Sequence, residues 1–212
     1  KKMIINKEHD RNKKYKKFLI YDDLKSFNRR IDKELSLADQ IIVPSTKIKK
    51  GLNLFPGKLP NIDVLNYPYD PIIKSTTKNW FNGKRKLKVL FVGRLDSRKG
   101  MLQITEALKY LKKTNQLNNF EISFVGSGKL YNNTKSEFDV IKFYSSLPND
   151  LVMEMMKKSD VLLFPSLFEG YGLSAVEAMS RGMVVICSKN CGFLDSCSNK
   201  DVIILKSNTS LN

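Results

Sequence analysis

The sequence predicts an α/β fold in which a Rossmann-like parallel sheet carries helices on both faces. From residue 84 onward, short unbroken apolar runs alternate with segments of helical periodicity. That pattern is typical of parallel strands buried on both faces. Glycine-containing loops follow several of the apolar runs, and ligands in such folds bind beside the carboxyl ends of the strands. The residues before 84 lack this regularity and predict a smaller, separate segment.

The first part of the chain predicts few regular elements. Residues 1–17 are rich in lysine, and we expect them to be poorly ordered. Apolar residues spaced by three and four predict an amphipathic helix over residues 22–38. We then expect a strand over 41–43, a helix capped by Ser45, and a strand over 62–65. Residues 66–83 are rich in Tyr, Pro, Asp, Thr and Asn, which is typical of a linker.

The second part predicts a regular series of strands and helices. Strands are expected over residues 89–92, 122–125, 140–143, 161–164, 184–187 and 202–205, and helices over 102–111, 150–158 and 174–181. Gly182 stands where a glycine ends the last of these helices. The predicted domains are therefore residues 1–70, a linker over 71–83, and a ligand-binding domain over 84–212.

Composition limits the classes of function. The net charge is +16, but residues 160–197 carry a net charge of −2, so the basicity avoids the most motif-rich stretch. Lysine supplies 30 of the 37 basic residues, whereas surfaces that clamp phosphate or read bases favour arginine. We interpret the charge mainly as composition and solubility, with attraction to an anionic membrane or polyanion as the alternative. No apolar run approaches the length of a membrane span.

The cysteine and histidine content excludes further chemistries. Three cysteines argue against a disulfide framework and for a reducing compartment. The single histidine, His9, argues against histidine-based metal sites and Ser-His-Asp chemistry.

The stretch from Phe164 to Met179 carries the strongest functional signal. It predicts a strand, a glycine-containing loop and a helix, and Gly170 and Gly172 would expose N–H groups at the helix N-terminus, which suits phosphate. Glu169 in the loop and Glu177 in the first turn of the helix would face the same pocket. Carboxylates beside an anion site are tolerable where they bind hydroxyls, so we assign a sugar to Glu169 and a ribose to Glu177. The alternative for Glu177 is a capping box with Ser174, in which it only satisfies a backbone N–H.

This stretch resembles the E-x7-E signature of retaining glycosyltransferases of the GT-B fold, notably family 4. Other family motifs lie on both sides of this stretch, in the expected order along the chain. Before it, Gly93-Arg94-Leu95 with Lys99-Gly100 resembles G-R-L…K-G, and residues 124–128 resemble V-G-x-G. After it, residues 183–188 resemble P-V-I-A-S, and residues 191–195 resemble G-G-x-x-E. Met183, Cys191 and Asp195 depart from the family pattern. Residues 34–45 resemble the end of a GT-B N-terminal domain, so the resemblance implies a remnant of that acceptor domain before the donor-binding domain.

The resemblance implies transfer of a sugar from a nucleotide diphosphate sugar, with retention, in surface polysaccharide, lipopolysaccharide or glycolipid synthesis. It implies no cofactor and no metal, a sugar, lipid-linked or polysaccharide acceptor, no nucleic acid partner, and a cytoplasmic location with peripheral contact to the inner face of the membrane. The implied catalytic residues are Glu169, Arg94 and Lys99, and the implied donor-binding residues are Gly93, Gly126, Gly170, Tyr171, Gly172, Leu173 and Glu177.

Three alternatives remain beside this hypothesis. One is a catalytically inactive domain or subunit that binds nucleotide sugars. A second is a basic nucleic-acid-binding module, which predicts interleaved arginine and aromatic residues that the sequence lacks. A third is a nicotinamide dehydrogenase, which is disfavoured because Gly126-Ser127-Gly128 lacks the third glycine of the dinucleotide fingerprint.

Overall fold

The computed structural model describes residues 24–68, 81–198 and 200–205. The helices are α1 (Leu24–Leu37), α2 (Thr46–Leu52), α3 (Met101–Lys113), α4 (Tyr131–Glu137), α5 (Asn149–Lys158) and α6 (Leu173–Ser180). The strands are β1 (Gln40–Val43), β2 (Asn61–Val64), β3 (Leu87–Val92), β4 (Phe120–Val125), β5 (Lys142–Tyr144), β6 (Val161–Phe164), β7 (Val184–Ser188) and β8 (Val202–Leu205). None of the helices in these ranges is long and apolar enough to cross a membrane.

Six of the strands form one parallel sheet in the order β5-β4-β3-β6-β7-β8. The chain builds outward from β3 to β5, then returns to the other side of β3 and builds outward from β6 to β8. The strand order therefore reverses between β3 and β6. A crevice opens at such a reversal, outside the carboxyl ends of the two strands, and ligands bind there.

The sheet is covered on both faces, as the sequence predicts. Alternate residues of β3 enter different cores: Val89 and Phe91 pack with α3 and α4, whereas Leu90 packs with α5 and α6. Phe124 of β4 and Phe164 of β6 anchor the two cores, and both side chains are fully buried. Burial of the central strands on two sides explains why they appear in the sequence as unbroken apolar runs, whereas the edge strands β5 and β8 are partly exposed.

Residues 24–68 form a smaller unit beside this sheet. β1 and β2 pair in parallel as a separate two-stranded sheet. The predicted cap of α2 is confirmed: the Ser45 hydroxyl accepts a hydrogen bond from the N–H of Ile48 at 3.2 Å. The helix predicted over residues 22–38 is present as α1.

Several local predictions differ from the structure. Strands β3 and β4 each begin two residues earlier than predicted, and α3 is longer by one residue at its start and two at its end. Helix α4 was not predicted, because its sequence lacks apolar residues at helical spacing. Strand β5 begins two residues later and ends one residue later than expected, and Ile141, just before it, is buried in the core. Helix α6 begins at Leu173 with Gly172 as its N-cap, one residue earlier than predicted. The predictions for residues 1–17 and for most of the linker lie outside the described residues.

Candidate active site

The loop that follows β3 holds two of the predicted phosphate-binding side chains. The carboxylate of Asp96, which is buried, accepts hydrogen bonds from Nε and Nη2 of Arg94 at 2.8 and 2.6 Å. Its other oxygen accepts from the N–H of Lys99 at 3.1 Å and thereby caps a short 3-10 helix over residues 97–99. Asp96 therefore orients the guanidinium group of Arg94 and fixes the backbone of Lys99. The Arg94 side chain remains 58% exposed, and its Nη1 makes no hydrogen bond within the described residues.

Lys99 meets Glu169 across the reversal of strand order. The Lys99 ammonium group forms an ion pair with the Glu169 carboxylate, whose loop follows β6. Both side chains are largely buried, with 14% and 17% of their surfaces exposed. The ammonium also lies 5.2 Å from the ring centroid of Phe164, within the range of a cation–π contact. Two of the predicted catalytic residues thus come together at the carboxyl edge of the sheet.

Gly126 allows the loops after β3 and β4 to touch. A Cβ atom at this position would lie 1.9 Å from the carbonyl oxygen of Gly93, and the backbone has a φ of 138°. Any side chain would therefore push the two loops apart. Leu95 and Ser127 join the same loops through a backbone hydrogen bond of 3.0 Å. The predicted donor-binding residues Gly93 and Gly126 are therefore neighbours that fix the loop carrying Arg94.

The loop after β6 leads directly into α6. Gly170, Gly172 and Leu173 lie at its N-terminal end, as predicted, and Leu173 is exposed there. Tyr171 points inward instead: its side chain is 5% exposed and its ring lies edge-on to Tyr67, with centroids 5.3 Å apart. A donor could therefore meet the backbone of Tyr171 but not its side chain in this arrangement.

Glu177 is not part of a capping box. The N-cap of α6 is Gly172, so Ser174 lies inside the helix and Glu177 lies in its second turn, not in the first turn as predicted. Within the described residues the Glu177 carboxylate accepts no hydrogen bond, and the side chain is half-buried. The interpretation of Glu177 as a mere cap is therefore wrong, and its carboxylate is available to a ligand.

The loop that follows β7 packs against the loop of residues 165–172, which carries Glu169 and is called the glutamate loop below. Glu169 and Cys191 form an isolated parallel bridge, in which the N–H of Glu169 donates to Asn190 at 3.0 Å and the N–H of Gly192 donates to Glu169 at 3.1 Å. Burial, together with the nearby Glu169 carboxylate, raises the pKa of the Cys191 thiol to about 11. The family position that Cys191 replaces is thus filled by a neutral, buried thiol.

The sequence did not reveal every residue of the site. Asp96 was missed, although an acidic residue three positions before Lys99 is a recognisable cap signal. The contact of Phe164 with Lys99 was also missed, because it depends on the packing of two strands. Among the described residues, no three His, Cys, Asp or Glu side chains are grouped so that they could hold a metal ion. Metal independence itself stays a prediction.

Several curated proteins are similar to this chain. A UDP-Gal:alpha-D-GlcNAc-diphosphoundecaprenol alpha-1,3-galactosyltransferase of Escherichia coli is 31% identical over 129 residues, which cover 55% of this chain and 32% of that protein. An uncharacterized glycosyltransferase of Methanocaldococcus jannaschii is 28% identical over 113 residues, covering 50% of this chain and 28% of that protein. The chain thus spans about a third of the length of these curated relatives.

Solved structures share the fold. WaaG, a glycosyltransferase involved in lipopolysaccharide biosynthesis, matches with a TM-score of 0.62 at 21% identity, over 80% of this chain and 50% of WaaG. A sucrose-phosphate synthase from Thermosynechococcus elongatus matches with a TM-score of 0.68 at 20% identity, over 90% of this chain and 51% of the synthase. These likenesses confirm the predicted GT-B fold class.

The family model for "Glycosyl transferases group 1" matches residues 74–210. This range contains both loops that meet at the reversal of strand order, and it contains every predicted site residue. The chain belongs to the glycosyl transferases group 1 family.

Proposed function

We propose that this chain binds the donor in a glycosyltransferase that moves a sugar from a nucleotide diphosphate sugar to an acceptor, with retention of the anomeric configuration. The observation that carries this proposal is the meeting of Lys99 and Glu169 at the reversal of strand order. The cation that would bind the leaving diphosphate and the carboxylate that would bind the sugar are therefore in direct contact. The family match supplies the reaction class.

Arg94 and Lys99 would hold the diphosphate. Arg94 is oriented by Asp96 through two of its nitrogens, which leaves Nη1 to bind a phosphate oxygen. The Lys99 ammonium contacts the ring of Phe164, and this cation–π contact positions it before a donor binds. As the bond to the sugar breaks, negative charge builds on the diphosphate, and preorganised cations stabilise that charge without rearrangement. The N–H groups of Gly172 and Leu173 would add to this effect.

Glu169 would act on the sugar. Without donor, its carboxylate is neutralised by Lys99. A bound diphosphate would compete for the Lys99 ammonium, so that the carboxylate can turn to a sugar hydroxyl and to the positive charge that develops at the reacting carbon. Because that charge exists only in the transition state, this contact would raise turnover more than affinity. Glu177, whose carboxylate is free among the described residues, would bind the ribose.

The similar proteins suggest a donor and an acceptor class. The relative from E. coli is named for a UDP-sugar donor and a diphosphoundecaprenol-linked acceptor, and WaaG is named for lipopolysaccharide biosynthesis. We therefore expect a UDP-sugar donor and a lipid-linked or polysaccharide acceptor in surface polysaccharide, lipopolysaccharide or glycolipid synthesis. A cytoplasmic site of action beside an anionic membrane would agree with the net charge of +16.

The alternative is a domain that binds nucleotide sugars without transferring them. The departures at Cys191 and Asp195 favour it, since this loop approaches the donor sugar in the proteins that the sequence resembles. In this chain the Asp195 carboxylate is already bound by Thr46, at 2.6 Å through the N–H and 2.9 Å through the hydroxyl. A turnover assay with a panel of nucleotide sugars separates the two functions.

Calorimetric titration with UDP, UMP and uridine tests donor binding. Lys99→Ala should weaken UDP binding by about 1.5–3 kcal/mol, the value of a charge-assisted hydrogen bond, and leave uridine binding unchanged. Arg94→Ala should have the same selectivity. Lys142→Ala is the matched control, because Lys142 also pairs with a glutamate, Glu121, but at the opposite edge of the sheet. Equal UDP affinity in all three variants and the parent would place the phosphates elsewhere.

A further inference from the structure

The glutamate loop is held from the side by a residue of the smaller unit. Ser45 is fully buried, and its hydroxyl donates a hydrogen bond of 2.7 Å to the carbonyl oxygen of Gly170. The Ser45 hydroxyl oxygen also accepts a hydrogen bond of 3.2 Å from the N–H of Ile48 at the start of α2. One hydroxyl therefore joins the first turn of α2 to the residue that follows Glu169.

The surrounding packing leaves this carbonyl little freedom. A Cβ atom on Gly192 would lie 2.0 Å from the oxygen of Gly170 and 2.7 Å from the hydroxyl oxygen of Ser45. The Gly170 carbonyl oxygen is thus packed closely against both the backbone of Gly192 and the Ser45 hydroxyl. The carbonyl oxygen of Glu169 and that of Tyr171 are both occupied by amides of the 190–193 segment, at 3.1 and 2.8 Å.

Other contacts join the same two parts. The side chain and N–H of Thr46 bind Asp195, Lys47 donates to the carbonyl oxygen of Lys189, and the ring of Tyr67 lies against that of Tyr171. Together with the Ser45 hydrogen bond, these contacts pack the smaller unit against the loops that follow β6 and β7. Of all these contacts, the one from the Ser45 hydroxyl is made closest to Glu169 in the sequence, because Gly170 is the next residue.

We infer that Ser45 is a positioning residue, which holds the Glu169 loop in place through Gly170 and so couples the smaller unit to the donor site. Loss of the hydroxyl leaves the closely packed Gly170 carbonyl without its hydrogen-bond partner, and the loop must move or open to water to satisfy it. Glu169 would then sample positions away from the sugar. The kinetic part of this inference rests on the proposed function, whereas the structural part does not.

Ser45→Gly is the informative variant. Glycine is tolerated at helix N-caps at a cost of only a few tenths of a kcal/mol, so α2 persists while the bond to Gly170 is lost. Ser45→Thr keeps a hydroxyl at the position and serves as the rescue. Ser159→Ala is the matched control: it removes a comparably buried serine hydroxyl, bonded to Met155 at 2.7 Å, at the end of α5.

Hydrogen exchange of the 212-residue chain tests the structural part without any substrate. In Ser45→Gly, the amides of Glu169, Gly192 and Phe193 should exchange about two- to tenfold faster than in the parent, the factor that one lost hydrogen bond gives. Ser45→Thr should restore the parent rates, and Ser159→Ala should leave these three amides unchanged. Unchanged rates in Ser45→Gly, or an equal rise in Ser159→Ala, would overturn the inference.

The consequence for catalysis is tested by steady-state kinetics of an enzyme that contains this chain and transfers sugar, called the active enzyme below. Ser45→Gly should lower kcat several-fold with little change in the KM for donor, because the nucleotide is held by other residues. In a Glu169→Gln background the same change should lower kcat no further, since the side chain that it misplaces is already inactive. Equal losses in both backgrounds would overturn the coupling. If no nucleotide binds at all, the proposed function fails, while the exchange measurement still decides the role of Ser45.

Discussion

Glu169 and Glu177 occupy different environments, although the sequence pairs them in one motif. Glu169 is largely buried against Lys99, whereas the Glu177 carboxylate is half-buried and has no hydrogen bond within the described residues. Glu169 lies beside a cation that a diphosphate would bind, and the Glu177 carboxylate can accept a hydrogen bond from a hydroxyl. Substituting each by glutamine keeps the shape and removes the charge, so the two roles can be measured separately.

We expect Glu169→Gln in the active enzyme to lower kcat strongly, by about 10²-fold or more, with a small effect on donor affinity. Its partner charge develops only in the transition state. Glu177→Gln should instead raise the donor KM and leave kcat nearly unchanged, because a ribose is bound alike in ground and transition states. Initial-rate kinetics over a range of donor concentrations measure both. The roles are wrong if the two variants share one pattern.

The cysteines give a prediction about thiol chemistry at the residue scale. Burial raises the pKa of Cys187 to about 12 and that of Cys191 to about 11. Burial also raises the pKa of Cys197, which is only half-buried. A thiol reagent at pH 8 should therefore modify Cys197 first and reach the other two only after unfolding. Mass spectrometry of partly labelled protein identifies the sites, and early labelling of Cys191 would contradict this prediction.

The same shifts fix the sign of a pH effect. A thiol whose pKa is higher in the folded protein stabilises the fold below its unfolded pKa, and the stabilisation is lost as the pH rises toward the folded pKa. Stability should therefore fall between about pH 9 and pH 12. Cys187→Ala should flatten this fall, which thermal unfolding at a series of pH values can measure.

At the scale of elements, the aromatic residues of β4 and its neighbours form the centre of one core. Phe124 is fully buried, and its ring centroid lies 5.4 Å from that of Phe91 and 5.3 Å from that of Phe143. The three strands β3, β4 and β5 are thus joined by side chains as well as by their backbone ladder.

We expect Phe124→Ala to lower the free energy of unfolding by about 3–5 kcal/mol, because it leaves a cavity that three strands cannot close. Tyr110→Ala on α3 is the control: its side chain is 64% exposed, and the change should stay within about 0.5 kcal/mol. Urea unfolding measures both. A loss below 1 kcal/mol for Phe124→Ala would show that this core repacks.

The fold was largely predictable from the sequence, and the reason is burial. Strand β6 was predicted at its observed bounds, since parallel strands buried on both faces stand out as apolar runs. Helix α4 was not, because its stability comes from tertiary contacts at its ends: the buried residues Leu130 and Phe138 flank it, and its own sequence is polar. Periodicity within the segment cannot reveal such support.

The site was predictable in its members but less so in its contacts. The order of loops placed Lys99 and Glu169 at one edge of the sheet, but their ion pair depends on which strands become neighbours at the reversal. Tyr171 was predicted to bind the donor, but the sequence could not show that its side chain packs inward against Tyr67 and leaves only its backbone near the site. A difference of one residue in the start of α6 also moved Glu177 from the first turn to the second.

At the scale of the whole molecule, the two edges of the sheet carry different kinds of ion pair. At the amino edge, Arg85 forms two hydrogen bonds of 2.6 and 2.7 Å to the buried Asp160, and the N–H of Lys88 adds a third at 2.9 Å. These bonds fasten β6 to β3 and leave the carboxylate fully occupied. At the carboxyl edge, the Lys99 ammonium and the Glu169 carboxylate have no other hydrogen-bonding partner among the described residues. The Arg85–Asp160 pair thus joins two strands, whereas the Lys99–Glu169 pair joins two loops.

The 212-residue polypeptide is not expected to transfer sugar efficiently by itself. It holds the proposed donor site, but the smaller unit beside that site is a two-stranded sheet with α1 and α2, and Ile42 and Leu65 are 61% and 66% exposed on it. Glycosyl transfer needs an acceptor surface opposite the donor and closure of the cleft, so that water does not reach the reacting carbon. The solved structures that match are about twice as long as the part that this chain covers. We therefore expect the polypeptide to bind UDP weakly and to transfer little or no sugar, as measured by calorimetry and by a coupled assay of UDP release with acceptor present and absent. Turnover by the monomeric polypeptide at a rate typical of enzymes, about 1 s⁻¹ or more, would show that residues 24–68 supply a working acceptor surface after all.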